Sequence, residues 1–136
     1  LPDLPMDVFE EEYAGLFKEY NLKNIFLITP STSEERIRKI DAQSDGFIYM
    51  VSSASITGSS NGISNEQEIY FERIRDMKLL NPTLIGFGIS DAASFLKASQ
   101  YAKGAIIGSA FIKALSVAKD IPESIHNFIQ QIKQPA

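Results

Sequence analysis

The chain has 136 residues, a formal net charge of −4, one histidine and no cysteine. These values exclude a disulfide framework, a thiolate metal site and a histidine cluster, and they leave no basic stripe with which to grip a nucleic acid. No apolar run approaches the roughly 20 residues that a membrane-spanning helix needs, no secretory signal is visible, and a reducing cytoplasm is the expected setting.

In chain order, Leu1-Pro2-Asp3-Leu4-Pro5 reads as a strand end running into a loop. Asp3 there is either a functional acid at a strand end or a turn-stabilising aspartate. Asp7 with Glu10 has the spacing of a capping box. Phe9, Tyr13, Leu16, Phe17 and Tyr20 then follow at helical spacing, with Asn21 as the stop. Glu10-Glu11-Glu12 reads as a charged first turn favoured by the helix dipole.

The run Asn24–Thr29 is nearly continuous in apolar residues, as in parallel strands covered on both faces. Pro30 ends it. Thr32 and Glu35 form a second capping-box pattern, with Ile37 and Ile40 pointing inward, and Gly46–Val51 is the next buried strand. In the stretch Ser52–Asn65, eleven of fourteen residues are Ser, Thr, Gly or Asn. A polar loop this long inside a compact domain reads as a lid, a binding loop or a disordered segment. Helical spacing resumes with Ile69, Tyr70, Ile74 and Met77 and breaks at Asn81-Pro82.

A strand over 83–87, a helix over 91–101, a strand over 104–107 and a short helix from about 109 continue the alternation. The last helix is capped by Asp120, with Pro122 and Glu123 in its first turn and a stripe of Ile121, Ile125, Phe128, Ile129 and Ile132. His126 lies beside that stripe and reads as solvated. Gln134-Pro135-Ala136 reads as a true C-terminus. Four internal strands and a possible fifth at the N-terminal edge, separated by helices, predict a parallel α/β sheet with right-handed crossovers, in one domain spanning 1–136.

Two glycine turns carry the chemistry. Leu84-Ile85-Gly86-Phe87-Gly88-Ile89-Ser90 and Ala105-Ile106-Ile107-Gly108-Ser109-Ala110 each follow an apolar strand, about twenty residues apart. Either turn alone is compatible with ordinary strand-to-helix chemistry. A glycine also lets an anion approach the main chain and permits positive φ. On consecutive strands the pair matches the way a (β/α)8 barrel builds a phosphate site after its last strands, at a short helix N-terminus begun by Ser109. Thr57-Gly58 in the polar loop either adds a further N–H to that phosphate and closes over the ligand or belongs to a surface loop. Tyr49, near a strand end, either contacts substrate from the barrel mouth, with Ile48 and Met50 facing the helices, or is a core aromatic with a satisfied hydroxyl. A complete barrel of this type takes about 250 residues, so the chain reads as part of one.

Taken together, Pro2-Asp3-Leu4-Pro5, Ile25–Pro30 with Thr32 and Glu35-Arg36, Tyr49-Met50-Val51-Ser52, Ile56-Thr57-Gly58, Gly86-Phe87-Gly88-Ile89-Ser90 and Gly108–Lys113 resemble the tryptophan synthase alpha subunit, in order and along essentially the whole chain. The resemblance implies the second half of a (β/α)8 TIM barrel. It implies a lyase of tryptophan biosynthesis that cleaves indole-3-glycerol phosphate to indole and glyceraldehyde 3-phosphate without a cofactor in this subunit. Pyridoxal phosphate would belong to a beta partner, in an alpha2beta2 complex whose interface lies near Pro2–Pro5. By position, Gly58, Gly88, Gly108 and Ser109 would bind the phosphate. Phe87 and Ile106 would line the pocket, Tyr49 would sit beside the indole and the catalytic carboxylates, and Thr57 would help hold a catalytic aspartate.

Two departures accompany the resemblance. Ser55 stands where many members have glycine before the Thr-Gly pair. The family's catalytic glutamate and aspartate lie in the first half of the barrel, so no catalytic residue is assigned in this segment and the chain alone is expected to be inactive. Alternative readings are another phosphate-binding barrel, such as a sugar-phosphate isomerase or epimerase, and a non-catalytic half-barrel that pairs with itself or with another chain.

Overall fold

The structure, a computed structural model, describes residues 4–52, 64–86 and 88–133. It contains a four-stranded parallel sheet in the order β1-β2-β3-β4: Leu27–Ile28, Ile48–Val51, Thr83–Gly86 and Gly104–Ile106. The possible fifth strand at Leu1–Pro5 falls mostly outside the described residues; Leu4 and Pro5 are irregular. β1, β2 and β4 are each shorter than predicted, and β3 covers the described part of 83–87. β1 keeps only two residues of the predicted Asn24–Thr29 stretch, and among the described residues it pairs with β2 alone.

Period-two alternation divides the sheet into two unlike faces. Ile28, Ile48, Met50 and Ile85 point to the helix side and have no exposed surface. Pairing sets Leu27, Tyr49, Leu84 and Gly104 in one row on the other face, and Val51, Gly86 and Ile106 in the next row. That second face is only partly covered, and Leu27 retains 46% of its surface.

The helices pack on the dry face. The first begins at α1 (Met6–Val8), passes through a π-helical turn at Phe9–Tyr13 and ends as α2 (Ala14–Glu19). Asp7 is not its cap: Pro5 precedes the first turn and no side chain bonds there. The π turn, in which Ala14 N–H donates to Phe9 O, breaks the 3.6-residue phase. The predicted stripe therefore divides. Phe9 is buried with its ring edge-on to Phe17 and Phe26, whereas Leu16 and Tyr20 face solvent. The stop at Asn21 is a left-handed residue at φ 51°, with Asn21 N–H donating to Lys18 O and Leu22 N–H to Phe17 O.

α3 (Glu34–Gln43) buries Ile37 and Ile40 as expected, but Ser33, not Thr32, caps it by accepting from Arg36 N–H. The Thr32 hydroxyl instead accepts from Thr29 N–H and closes the turn after β1. α4 (Asn65–Asp76) starts in a full capping box between Ser64 and Gln67. Tyr70, Ile74 and Met77 of the predicted stripe are buried, but Ile69 is 60% exposed and Phe71 takes its place in the core. α5 (Ala92–Ser99) is capped by Asp91.

α6 (Ser109–Ser116) and α7 (Ile121–Lys133) pack on each other through Phe111 and Phe128, whose ring centroids lie 5.3 Å apart. The Asp120 carboxylate accepts from Glu123 N–H and caps α7. Of the predicted α7 stripe only Ile132 is buried; Ile121 and Ile129 remain 58% and 42% exposed. His126 is exposed.

Asp41 and Asn81 join the end of α3 to the entry of β3. The buried Asp41 carboxylate accepts from Leu80 N–H, Asn81 N–H and the Asn81 amide, and that amide also donates to Asp41 O. Burial pushes the Asp41 carboxyl up, but these donors and nearby Arg38 outweigh it and hold it below its ordinary 3.8.

Candidate functional site

Because all four strands are parallel, every β→α turn leaves the same end of the sheet. In open or closed parallel sheets that end is where ligands bind. Gly86 pairs with Ile106, so the two glycine turns that follow β3 and β4 emerge side by side. Gly88 lies in the first with φ 75°, a left-handed conformation that favours glycine, and it is exposed. Gly108 stands in the second with φ −102°, and Ser109 opens α6, which has no side-chain cap. The first backbone N–H groups of α6 are therefore not taken by a capping side chain, which is the local chemistry of an anion site.

Tyr49 and Ile106 belong to the partly covered face below these turns. Ile48 and Met50, on either side of Tyr49, are fully buried against the helices. Burial pushes the Tyr49 phenol above its ordinary 10.0, so it stays neutral near pH 7 and can donate a hydrogen bond. Tyr49 also explains Gly86. A β-carbon on Gly86 would run into the Tyr49 phenol ring. Gly86 is thus a β-strand residue that makes room for a tyrosine, not an open approach for a ligand. Among the described residues, no atom lies within 4 Å of a β-carbon added at Gly88 or Gly108.

Thr57, Gly58, Phe87 and Asp3 lie outside the described residues. Of the remaining candidates, Gly88, Gly108 and Ser109 share one end of the sheet, and Tyr49 and Ile106 share one face. Ser52 was not singled out by spacing. It is 3% exposed, and both its N–H (3.2 Å) and its hydroxyl (2.7 Å) donate to Gly86 O. A serine at the end of an apolar strand was the available signal.

Polar groups of α4 brace that end of the sheet after β1 and also tie α4 to α5. The Tyr70 hydroxyl donates to Ile28 O, and Arg73 donates to Pro30 O and Thr32 O, so α4 holds the turn after β1. Glu68 on α4 pairs with Lys97 on α5 and accepts from the Tyr101 hydroxyl. Among the described residues no group of three or more His, Asp or Glu side chains is placed to hold a metal ion, and no helix is long and apolar enough to cross a membrane.

A family model described as "Tryptophan synthase alpha chain" matches residues 1–135. The chain belongs to the tryptophan synthase alpha chain family. The alpha chain of Flavobacterium johnsoniae is 57% identical over 133 residues, covering 98% of this chain and 52% of that protein. The alpha chain of Christiangramia forsetii is 53% identical, covering 98% and 51%. Among solved structures, a mutant tryptophan synthase alpha-subunit from Pyrococcus furiosus superposes with a TM-score of 0.78 at 26% identity, over 96% of this chain and 52% of that one. The tryptophan synthase alpha chain of Legionella pneumophila gives 0.77 at 25% identity, over 98% and 49%. The chain thus spans about half the length of the relatives it matches, and its fold is a four-strand portion of their (β/α)8 barrel.

Proposed function

We propose that this chain supplies the phosphate-gripping half of a tryptophan synthase alpha site, one that cleaves indole-3-glycerol phosphate to indole and glyceraldehyde 3-phosphate in the cytoplasm. The observation that carries this reading is the placement of the Gly88 turn beside the Gly108-Ser109 turn, at one end of one parallel sheet. Gly88, Gly108 and Ser109, with Gly58 from the polar loop, would hold the phosphate through main-chain N–H groups and the α6 dipole. Such a grip binds substrate and transition state alike. It fixes the far end of the molecule so that the reacting bond is presented in register. Phe87 and Ile106 would line the pocket. Tyr49, neutral and set on the inner face, would sit against the indole, and Thr57 would orient a catalytic aspartate.

Breaking the carbon–carbon bond by retro-aldol chemistry requires a base and an acid at the reacting atoms. In this reading a glutamate and an aspartate outside these 136 residues serve those roles, so the chain by itself releases no indole. We assign no cofactor to it. Pyridoxal phosphate belongs to the beta subunit that takes up indole in an alpha2beta2 assembly, and we place the Pro2–Pro5 segment near that interface. Residues 1–136 act as one domain, with a lid at about 52–65 whose ends are anchored by Ser52 on Gly86 O and by the Ser64 cap of α4.

Titration of the labelled chain with indolepropanol phosphate tests the reading. The amide signals of Gly88, Gly108 and Ser109 should shift together and saturably, while indole release from indole-3-glycerol phosphate stays at background. A response to ribose phosphates with none to indolepropanol phosphate would transfer the chain to the isomerase or epimerase reading.

A further inference from the structure

Ser52 is the first residue past β2, and it places two donors on a single acceptor. Its N–H adds one more rung to the β2–β3 ladder, 3.2 Å from Gly86 O, and its hydroxyl reaches the same oxygen at 2.7 Å. Gly86 is the last residue of β3, and Gly88, with its left-handed backbone, follows two positions later. The Gly86 carbonyl belongs to the peptide plane through which the chain leaves the sheet. A planar peptide has no internal freedom, so holding its oxygen limits the directions in which the chain can leave Gly86. On the other side, Tyr49 closes the space above Gly86. The exit from β3 is therefore held by two residues of β2 and its end, one by shape and one by hydrogen bonds.

We infer that Ser52 is a positioning residue for the Gly88 turn: its buried hydroxyl sets the peptide plane at Gly86 and so aims the amides that receive a phosphate monoester. This rests on the proposed phosphate site for its ligand, but not for its geometric content. An ordinary ladder rung supplies only the N–H. The added hydroxyl makes the buried Gly86 oxygen a two-donor acceptor beside a serine that is 3% exposed, where an unmet donor or acceptor is costly. Serine fits here because its hydroxyl is one bond from Cβ and reaches a carbonyl already engaged by its own N–H.

The test compares Ser52→Ala and Ser52→Thr with the unmodified chain, with Ser99→Ala as the control. Ser99 also donates its hydroxyl to a carbonyl, that of Phe95, but on an exposed helix. Two readouts are taken at a temperature where every variant is folded. The first needs no ligand: the HN–Hα couplings of Gly88, which report its positive φ, and the order parameter of its amide. In Ser52→Ala the couplings should move toward averaged values and the order parameter should fall, while Ser52→Thr and Ser99→Ala match the parent. Unchanged Gly88 couplings in Ser52→Ala overturn the inference even if its melting temperature drops, since a general packing role would lower stability without moving Gly88. The second readout is the dissociation constant for glycerol 3-phosphate. Ser52→Ala should bind about tenfold more weakly, with Ser52→Thr restored to within twofold. Failure of the parent chain to bind glycerol 3-phosphate would count against the phosphate site alone, because the Gly88 couplings still decide the role of Ser52.

Discussion

The Tyr49 ring occupies the volume that a β-carbon on Gly86 would need, so the two residues are matched across neighbouring strands. Gly86→Ala should destabilise the fold by about 2–3 kcal/mol, the scale of forcing extra volume into a packed site. Tyr49→Ala in the same chain removes the clash. The double variant should then be more stable than the sum of the single effects predicts by at least about 1 kcal/mol. Urea unfolding of the four proteins measures this coupling, and simple additivity would mean that the ring is free to swing aside.

Gly88 and Gly108 should differ although both are exposed turn glycines. Gly88 has φ 75°, so Gly88→Ala places a β-carbon in the left-handed region at a cost of about 1–2 kcal/mol. Gly108 has φ −102° and no described atom within 4 Å of an added β-carbon, so Gly108→Ala should stay within about 0.5 kcal/mol of the parent. Equal losses at both positions would contradict the backbone assignment.

What the amino-acid pattern reveals differs from element to element, and the reasons are physical. The runs around Ile28, Ile48-Met50 and Ile85 announce strands covered on the helix side, since only a dry environment tolerates such density of branched side chains. Parallel order follows from the alternation of strands with helices. The Asp120 cap reads directly because a single carboxylate three residues ahead of Glu123 has no competitor. At Ser31-Thr32-Ser33 three hydroxyl residues stand in line, and spacing alone does not choose among them. The structure gives Thr32 to the turn and Ser33 to the helix. The π turn at Phe9–Tyr13 has no local signature in this sequence and shifts the face that follows it. Asp41 was invisible for another reason: its partners, Leu80 and Asn81, lie about forty residues away, and only the folded chain brings them together. At the site, the glycine turns were legible as motifs, whereas the burial of Gly86 under Tyr49 depends on strand register.

Ser33→Ala should cost about 1 kcal/mol, as for other N-cap losses. Amide exchange should accelerate at Arg36, whose N–H the Ser33 hydroxyl accepts. Thr32→Ala should leave Arg36 protected and instead release Thr29 N–H. Acceleration at Arg36 in the Thr32 variant would restore Thr32 as the cap.

The Asp41 carboxylate gives the fold an acid limit. Its folded pKa lies below the ordinary 3.8, so the unfolded chain binds the proton more tightly. The stabilisation is present above about pH 4 and is lost as pH falls through the folded value. Asp41→Asn puts an amide N–H₂ where an acceptor faced the Leu80 and Asn81 N–H groups, and should cost about 1–3 kcal/mol at pH 7. The difference between parent and variant should shrink as pH falls from 5 to 2. A gap independent of pH would assign the loss to shape instead of charge.

Strand order in this sheet equals chain order. Each new strand is laid against the one just made. Among the described residues no strand lies on the outer flank of Leu27–Ile28, so a further strand–helix unit can be spliced on ahead of it without rethreading these four strands. An architecture assembled this way is divisible at its turns, so pieces of it can be exchanged between relatives like sections of a fence.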